Sequence, residues 1–387
     1  MSIRRNLIKR IAMLRFKNIY FTRAAILLGA CLVAIAPAVA QKDTHNTPQM
    51  AREWRSFVKE KPVEWFGSKE AEYIAHNILL YQRSCGGWPK NVRMSDSLSI
   101  PQEAAIEDEK ELTQDATIDN GATTTELAFL ARIYSVTKHP AYREAFVKGF
   151  KFLQKMQLSN GGWPQFYDRK GYYTHITYND NAMVNVMILL KKVADRDALF
   201  EQITTESDAS IARNMFGKGV DCILKTQIVV DGTPTVWCAQ HDEKTLNPAK
   251  ARAYELPSFS GLESAEITKL LMNIPNPSPE IIRAVNSAMA WVDRAKITGK
   301  KLETFTNSEG KRDRRLVNDS LAAPIWARFY NLEDMRPFVC DRDGVKKYDI
   351  SEIGYERRTG YGWYGDWPQE LYPKYEKWLR KLSKAKQ

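Results

Sequence analysis

Two short runs in this chain concentrate side-chain oxygen. Asp119-Asn120-Gly121 precedes one apolar helical pattern, and Asn179-Asp180-Asn181 precedes another that runs from Met183 to Leu190. At a helix start, Asp and Asn oxygens satisfy free backbone N–H groups as caps. If two such turns face one cleft, the same oxygens suit a hard cation, because calcium takes six to eight oxygen ligands from flexible loops. Asp119, Asn120 and Asp180 are therefore candidate metal ligands, with Asn181 beside them. A second chemistry lies further along, where Arg252, Arg328, Arg342 and Arg357 fall in loop-like stretches. Guanidinium forks match carboxylates bidentately. A cation, several arginines and exposed aromatics together describe a site for an anionic sugar chain. The plain alternative is that each arginine pairs with a nearby surface acid.

Other chemistries find less support. His175 and His241 are ordinary candidate bases, and His241 suits a structural or groove role equally well. No motif marks a Ser or Cys nucleophile. Cys85, Cys222, Cys238 and Cys340 lack zinc-site spacing, and their pairing is not readable from sequence. The aromatic content of 11% suits a sugar-stacking groove or ordinary core.

The first 40 residues read as an export signal. Seven basic residues from Arg4 to Arg23 precede an apolar stretch, Ala24 to Ala36, and a small-residue cleavage site, Ala38-Val39-Ala40. This predicts a periplasmic or extracellular protein with no stable membrane insertion. Lipid anchoring at Cys31 is the less favoured reading. The leader holds seven of the 57 basic residues and none of the 46 acids. The remainder therefore carries 50 against 46, a net +4. So mild a charge excludes a nucleic-acid partner as the leading reading and permits an acidic substrate. A single catalytic domain is expected over 41–387, as a monomer.

The elements that position these residues repeat. Helical patterns end at Gln82, Gln157 and Gln227, and each is followed by a Gly turn, a tryptophan and a loop into another apolar helix. The third copy has lost the Gly-Gly-Trp-Pro run. Ser68 is placed to cap the first helix, and further helices are expected over 141–157, 210–227 and 278–296, with an amphipathic tail from Gln369. Residues 93–114 read as an acidic surface loop and 301–317 as a charged segment with short strands. Paired helices without a strand period predict a mainly all-α fold. Specifically, they predict an (α/α)3 toroid over about 68–300, with loops and short strands over 301–387 completing the cleft. The repeat appears to set Asp119 and Asp180 at equivalent helix starts.

The runs GGWPK, IDNGATTTELAFLARIY, NGGWPQFY, THITYNDNAMVNVM, VWCAQHDEKTLNPAKARAYELPS and CDRDG followed by YERRTGYGWYG resemble the family 10 polysaccharide lyases, which are pectate lyases. The likeness keeps its order from about Gly86 to Pro368. It implies an α/α toroid-like fold and calcium-dependent anti β-elimination of polygalacturonate to 4,5-unsaturated oligogalacturonides. It further implies Asp119, Asn120 and Asp180 at the calcium and Arg342 as the base. Arg252 and Arg357 would bind uronate groups, with Lys90, Arg328 and Tyr178 also in the substrate groove. Two readings compete: a glycoside hydrolase using Asp119 and Asp180 as acid and base, and a non-catalytic uronan-binding protein.

Overall fold

In the computed structural model, which describes residues 48–385, four buried tryptophans repeat one hydrogen bond. The indole Nε1 of Trp88, Trp163, Trp237 and Trp326 donates to the carbonyl of Ile78, Leu153, Ile223 and Val292, at 2.7, 2.8, 2.7 and 2.9 Å. Each acceptor lies on the helix before its tryptophan, so each ring folds its loop back under that helix. The first three copies are those read from sequence, and Trp326 marks a fourth. The export signal and Cys31 lie outside the described residues.

The helices in chain order are α1 (Pro48–Glu60), α2 (Lys69–Tyr81), α3 (Ile100–Asp108), α4 (Thr124–Thr137), α5 (Pro140–Met156), α6 (Ala182–Ala194), α7 (Ala198–Glu201), α8 (Glu206–Thr226), α9 (Gly261–Met272), α10 (Pro279–Arg294), α11 (Tyr355–Gly360) and α12 (Leu371–Ala385). Helices α4, α6, α9 and α12 form an inner row in which each touches the next. Helix α6 is apolar nearly all round and buries Met183, Val184, Val186, Met187, Leu189 and Leu190, as an interior helix must. Around this row pack α2, α5, α8 and α10. Local chemistry sets their ends. Ser68 Oγ accepts the Ala71 N–H at 3.2 Å, as expected, and Thr205 and Asp208 form a reciprocal capping box.

Glutamine ties one outer helix to the next. Gln82 Nε2 donates to the carbonyls of Gly86 and Ala145, Gln157 to those of Gly161 and Met215, and Gln227 to those of Thr235 and Ala284, all at 2.9–3.0 Å. Each amide holds its own loop and reaches the following outer helix, so the repeat spacing is built from buried, satisfied donors. The approach is close at Gly161, where φ is +93° and a Cβ would lie 2.0 Å from the Lys218 carbonyl oxygen.

Strands are short. The exception is a hairpin of Lys300–Thr306 with Arg312–Asn318, which pairs Lys300 with Asn318 and Leu302 with Leu316. A four-stranded sheet orders Phe259–Ser260, Phe329–Tyr330, Pro337–Cys340 and Lys346–Lys347 beside one another. The segment 93–114, read as a loop, holds α3. Gln102 closes a capping box on Ser99, while the helix buries only Ile106, which is why its periodicity is weak. All four cysteines among the described residues are free thiols.

Helix α1 lies against α4 through Trp54, whose Nε1 donates to Glu126 Oε1 at 2.8 Å. The other Glu126 oxygen is buried with no hydrogen-bond partner, and burial pushes the carboxyl up to about 7. Because the folded pKa exceeds the unfolded one, this group's stability is complete below about pH 4.5 and is lost as pH rises through 7, about 3 kcal/mol in all. Glu126→Gln is therefore expected to raise Tm clearly at pH 8 and much less at pH 5; equal shifts at the two pH values would exclude a neutral carboxyl. Gly161→Ala should cost about 3 kcal/mol or more in denaturant unfolding. Gly171→Ala, at φ +74° with nothing within 4 Å of a Cβ, should cost only about 1 kcal/mol.

Candidate active site

The oxygen-rich turns meet. Residues Asp119–Gly121 and Asn179–Asn181 are single 3-10 turns in direct contact, each reached from a two-residue strand, Ala116–Thr117 or Ile176–Thr177. Each carries a left-handed residue in its middle, Asn120 at φ 52° and Asp180 at φ 51°. Position for position, then, Asp180 matches Asn120, and Asp119 matches Asn179. The two acids stand at related helix starts but one residue out of step, which corrects their reading as equivalent. Asn and Asp tolerate this backbone better than other side chains do.

Both turns line a cleft of about 690 Å³, together with Lys90, Arg252, Arg328 and Arg357. Asp119 is nearly buried: its Oδ2 accepts Lys90 Nζ at 2.5 Å and its Oδ1 accepts the Asn120 N–H at 3.0 Å. Asn120 Nδ2 donates to Asn91 Oδ1 at 2.8 Å. The Asp180 side chain is 38% exposed, with Oδ1 accepting Arg328 Nη2 at 3.1 Å and Oδ2 accepting Asn179 Nδ2 at 2.9 Å. Burial raises this carboxyl, but Arg328 and, less strongly, Arg252 outweigh it and hold the pKa below the ordinary carboxylate value. Asp180 is thus an anion, the wrong state for the general acid of a hydrolase.

The arginines differ sharply in placement. Arg328 is buried and also bonds Asn179 Oδ1 at 3.0 Å and Glu263 Oε1 at 2.5 Å. Arg252 and Arg357 share the Tyr254 ring, with guanidinium carbons 5.0 and 4.4 Å from its centroid. Each has its own acid: Glu255 takes Arg252 Nε at 2.7 Å together with its Nη2, and Glu356 takes Arg357 Nε at 2.8 Å together with its Nη2. Burial opposes the charge of Arg252, but Glu255 overrides it and raises the pKa above the ordinary value. The Arg252 side chain is 41% exposed.

Arg342 is elsewhere. Its side chain is 67% exposed, does not line the cleft, and lies 3.3 Å from Glu356, which places it on the rim behind Arg357. Tyr178 is likewise no groove residue. It is fully buried, and its hydroxyl pairs with Thr226 Oγ1 at 2.7 Å, because the residue before the turn points into the helical core. His241 is buried, accepts the Cys238 N–H at Nε2 and donates from Nδ1 to the Leu246 carbonyl; burial lowers its pKa to about 4. It is structural. His175, Asp242 and Glu243 bring their ligand atoms within 4.8 Å of one another. Their contacts are internal, His175 Nδ1 to Glu243 at 2.9 Å and Asp242 to the Lys244 and Thr245 N–H groups, and none lines the cleft.

Sequence reading passed over several lining residues. Arg52 arrives from α1, and Phe166, Arg169, Tyr172 and Tyr173 come from the loop before Asp180. The loop aromatics were visible in the sequence, but nothing in it distinguishes a groove ring from a core ring. Arg55, also on α1, lies behind Gly121, and burial lowers its pKa.

The chain matches the model of the pectic acid lyase family over residues 82–372. Among solved structures it is similar to the family 10 polysaccharide lyase from Cellvibrio cellulosa, with 34% identity, a TM-score of 0.71, and coverage of 86% of this chain and 98% of that one. An aspartate-to-alanine mutant of the Cellvibrio cellulosa family 10 lyase, in complex with trigalacturonic acid, gives the same identity and TM-score and covers 86% and 99%. No curated protein matched. The same mainly helical toroid, the ordered motifs and the match over most of the chain have one reading: this chain belongs to the pectic acid lyase family and is a polysaccharide lyase.

Proposed function

We propose that this lyase cleaves polygalacturonate, the demethylated backbone of pectin, by calcium-dependent anti β-elimination that leaves 4,5-unsaturated oligogalacturonides. The observation that carries the proposal is one cleft in which two oxygen-rich turns stand opposite Lys90, Arg252, Arg328 and Arg357. The donor set fits a hard cation. Asp119, Asn120 and Asp180 offer carboxylate and amide oxygens from two touching turns, and the neighbouring Asn181 Oδ1 is buried with no hydrogen-bond partner. Calcium bound there would supply positive charge toward the substrate carboxylate. Export of the protein belongs to the same proposal and rests on residues 1–40.

Elimination removes the proton on C5, next to a carboxylate that resists further negative charge. Cationic side chains already fixed in the cleft stabilise the charge that develops on that carboxylate. Arg252, rather than Arg342, is assigned the proton. It is the half-exposed arginine of the cleft, Glu255 fixes its Nε and Nη2, and its Nη1 is left without a protein partner. Arg342 stands outside the lining, and Arg328 is enclosed by Asp180, Asn179 and Glu263. A guanidinium is protonated at neutral pH, and Glu255 reinforces this in the free protein. A sugar covering Arg252, with Arg357 beside it, disfavours its charged form. The leaving oxygen on C4 then departs and the double bond forms between C4 and C5.

The first test is the product. Purified protein with polygalacturonate is expected to generate ultraviolet-absorbing unsaturated oligosaccharides, to stop on exhaustive chelation and to resume with added calcium. Saturated products alone would sink the lyase chemistry, and unchanged turnover after chelation would remove the metal. Asp180→Ala should lose activity while keeping its helical circular dichroism, since a lost cap alone costs roughly 0.5–2 kcal/mol. The second test separates the arginines. Arg252→Lys should lower kcat by about three powers of ten or more, with folding intact, because the base moves from its place. Arg342→Lys should retain kcat within about tenfold and act on KM. The reverse pattern would return the base to Arg342. Activity that rises into alkaline pH accords with an arginine base.

A further inference from the structure

We propose that Arg169 reads the carboxylate of a neighbouring sugar at an outer subsite of the cleft, and so makes the enzyme demand an unesterified uronate there; the proposal rests on the lyase reading above. The cleft cations fall into two groups. Lys90, Arg252, Arg328 and Arg357 are each matched to a protein carboxylate. Arg52 and Arg169 also line the cleft, and neither makes an ion pair among the described residues. Arg52 is an exposed side chain on a helix surface, with nothing that holds its head in place. Arg169 is held at three points. Its Nε donates to the Gln114 carbonyl at 2.7 Å, and its guanidinium carbon lies 4.0 Å from the Phe166 ring centroid and 5.2 Å from that of Tyr173.

That clamp uses Nε and the flat faces of the guanidinium, and it leaves Nη1 and Nη2 without hydrogen-bond partners in the protein. A planar fork with two free ends is the arrangement that takes a carboxylate bidentately. The ordering of a long side chain, usually a cost of binding, has already been met by the protein. Position relative to the centre follows from Phe166. Lys90 Nζ lies 5.1 Å from the same ring and is bonded to Asp119, so Arg169 is one aromatic ring away from the candidate cation turn. A uronan presents a carboxylate on every sugar. With one carboxylate at the centre, the next along this wall meets Arg169. Tyr172 and Tyr173, centroids 4.1 Å apart, stand beside it as the apolar face for a sugar ring. A methyl ester there removes the negative charge that the fork would bind.

The test is kinetic, on the full chain with calcium, following unsaturated product from polygalacturonate and from partially methyl-esterified pectin of similar length. Arg169→Gln is expected to raise KM for polygalacturonate about tenfold, leave kcat within about twofold, and shrink the preference for the unesterified polymer by about the same factor. Its Tm should stay within about 2 °C, because the fork end touches no protein group. Arg169→Lys keeps the charge without the fork, should recover only part of the KM, and serves if the Gln variant misfolds. Wild-type KM and preference in a folded variant would overturn the proposal, as would a fall in kcat at unchanged KM. If the wild-type protein forms no unsaturated product, it is the lyase reading that fails. If it forms product and the variants keep its selectivity, Arg169 alone is excluded.

Discussion

A guanidinium shut away from water has to be paired, and Arg328 is the one around which this cleft is arranged. Its Nη2 bonds the Asp180 carboxylate, the Asn179 amide oxygen and Glu263, while its face lies 4.6 Å from the Tyr361 centroid. Those partners come from the turn before α6, from the first turn of α9 and from the C-terminal region. Glu263 is itself fully enclosed, with its other oxygen on Ser260. Loss of any member would leave a buried charge uncompensated, which costs far more than the pair gains when intact. The network therefore fixes where Asp180 stands relative to the C-terminal wall, and keeps it ionised.

The rest of the scaffold exists to bring two helix starts into contact. In a helical repeat, each inner helix begins at the same end of the row, so its N-terminal turn comes to the same side. The tryptophan hydrogen bonds fold each loop beneath its own helix, and the glutamine bonds set the spacing to the next. Both devices use fully buried polar atoms with good partners, which makes the spacing rigid. Rigidity matters because side chains that stabilise developing charge act only if they need not move to do so.

The cleft arginines divide this labour. Arg252 and Arg357 share one tyrosine ring, yet each is bound to a separate glutamate, so two like charges stand close without collapsing the wall. Glu356 extends the arrangement outward to Arg342, and its pKa is lowered to about 2, first by Arg357. A graded set results, from the enclosed Arg328 through the half-exposed Arg252 to the solvent-facing Arg342. Arginines of one sequence type thus differ in solvation, and solvation governs what each can do to a bound carboxylate.

Much of this was legible in residue order. Helix ends followed from local groups, such as Ser68 and the Gln-Gly-Trp pattern, because caps and turns are satisfied within a few residues. The oxygen-rich turns at Asp119 and Asp180 were readable for the same reason. The family likeness identified the reaction class, and the match over 82–372 bears it out. Tertiary structure alone decided which side chains meet. The one-residue offset between the two acids appears only when the strands and turns are superposed in three dimensions. Tyr178 and Tyr172 look alike in sequence, yet one faces α8 and the other the cleft. Arg342 and Arg252 sit in equally polar loops, but the chain path sets one on the rim and the other on Tyr254. A loop's local sequence dictates its turns, whereas the direction of a long charged side chain depends on partners far away along the chain. For these arginines the partners are rings and carboxylates, and only the fold determines which of them stand within reach.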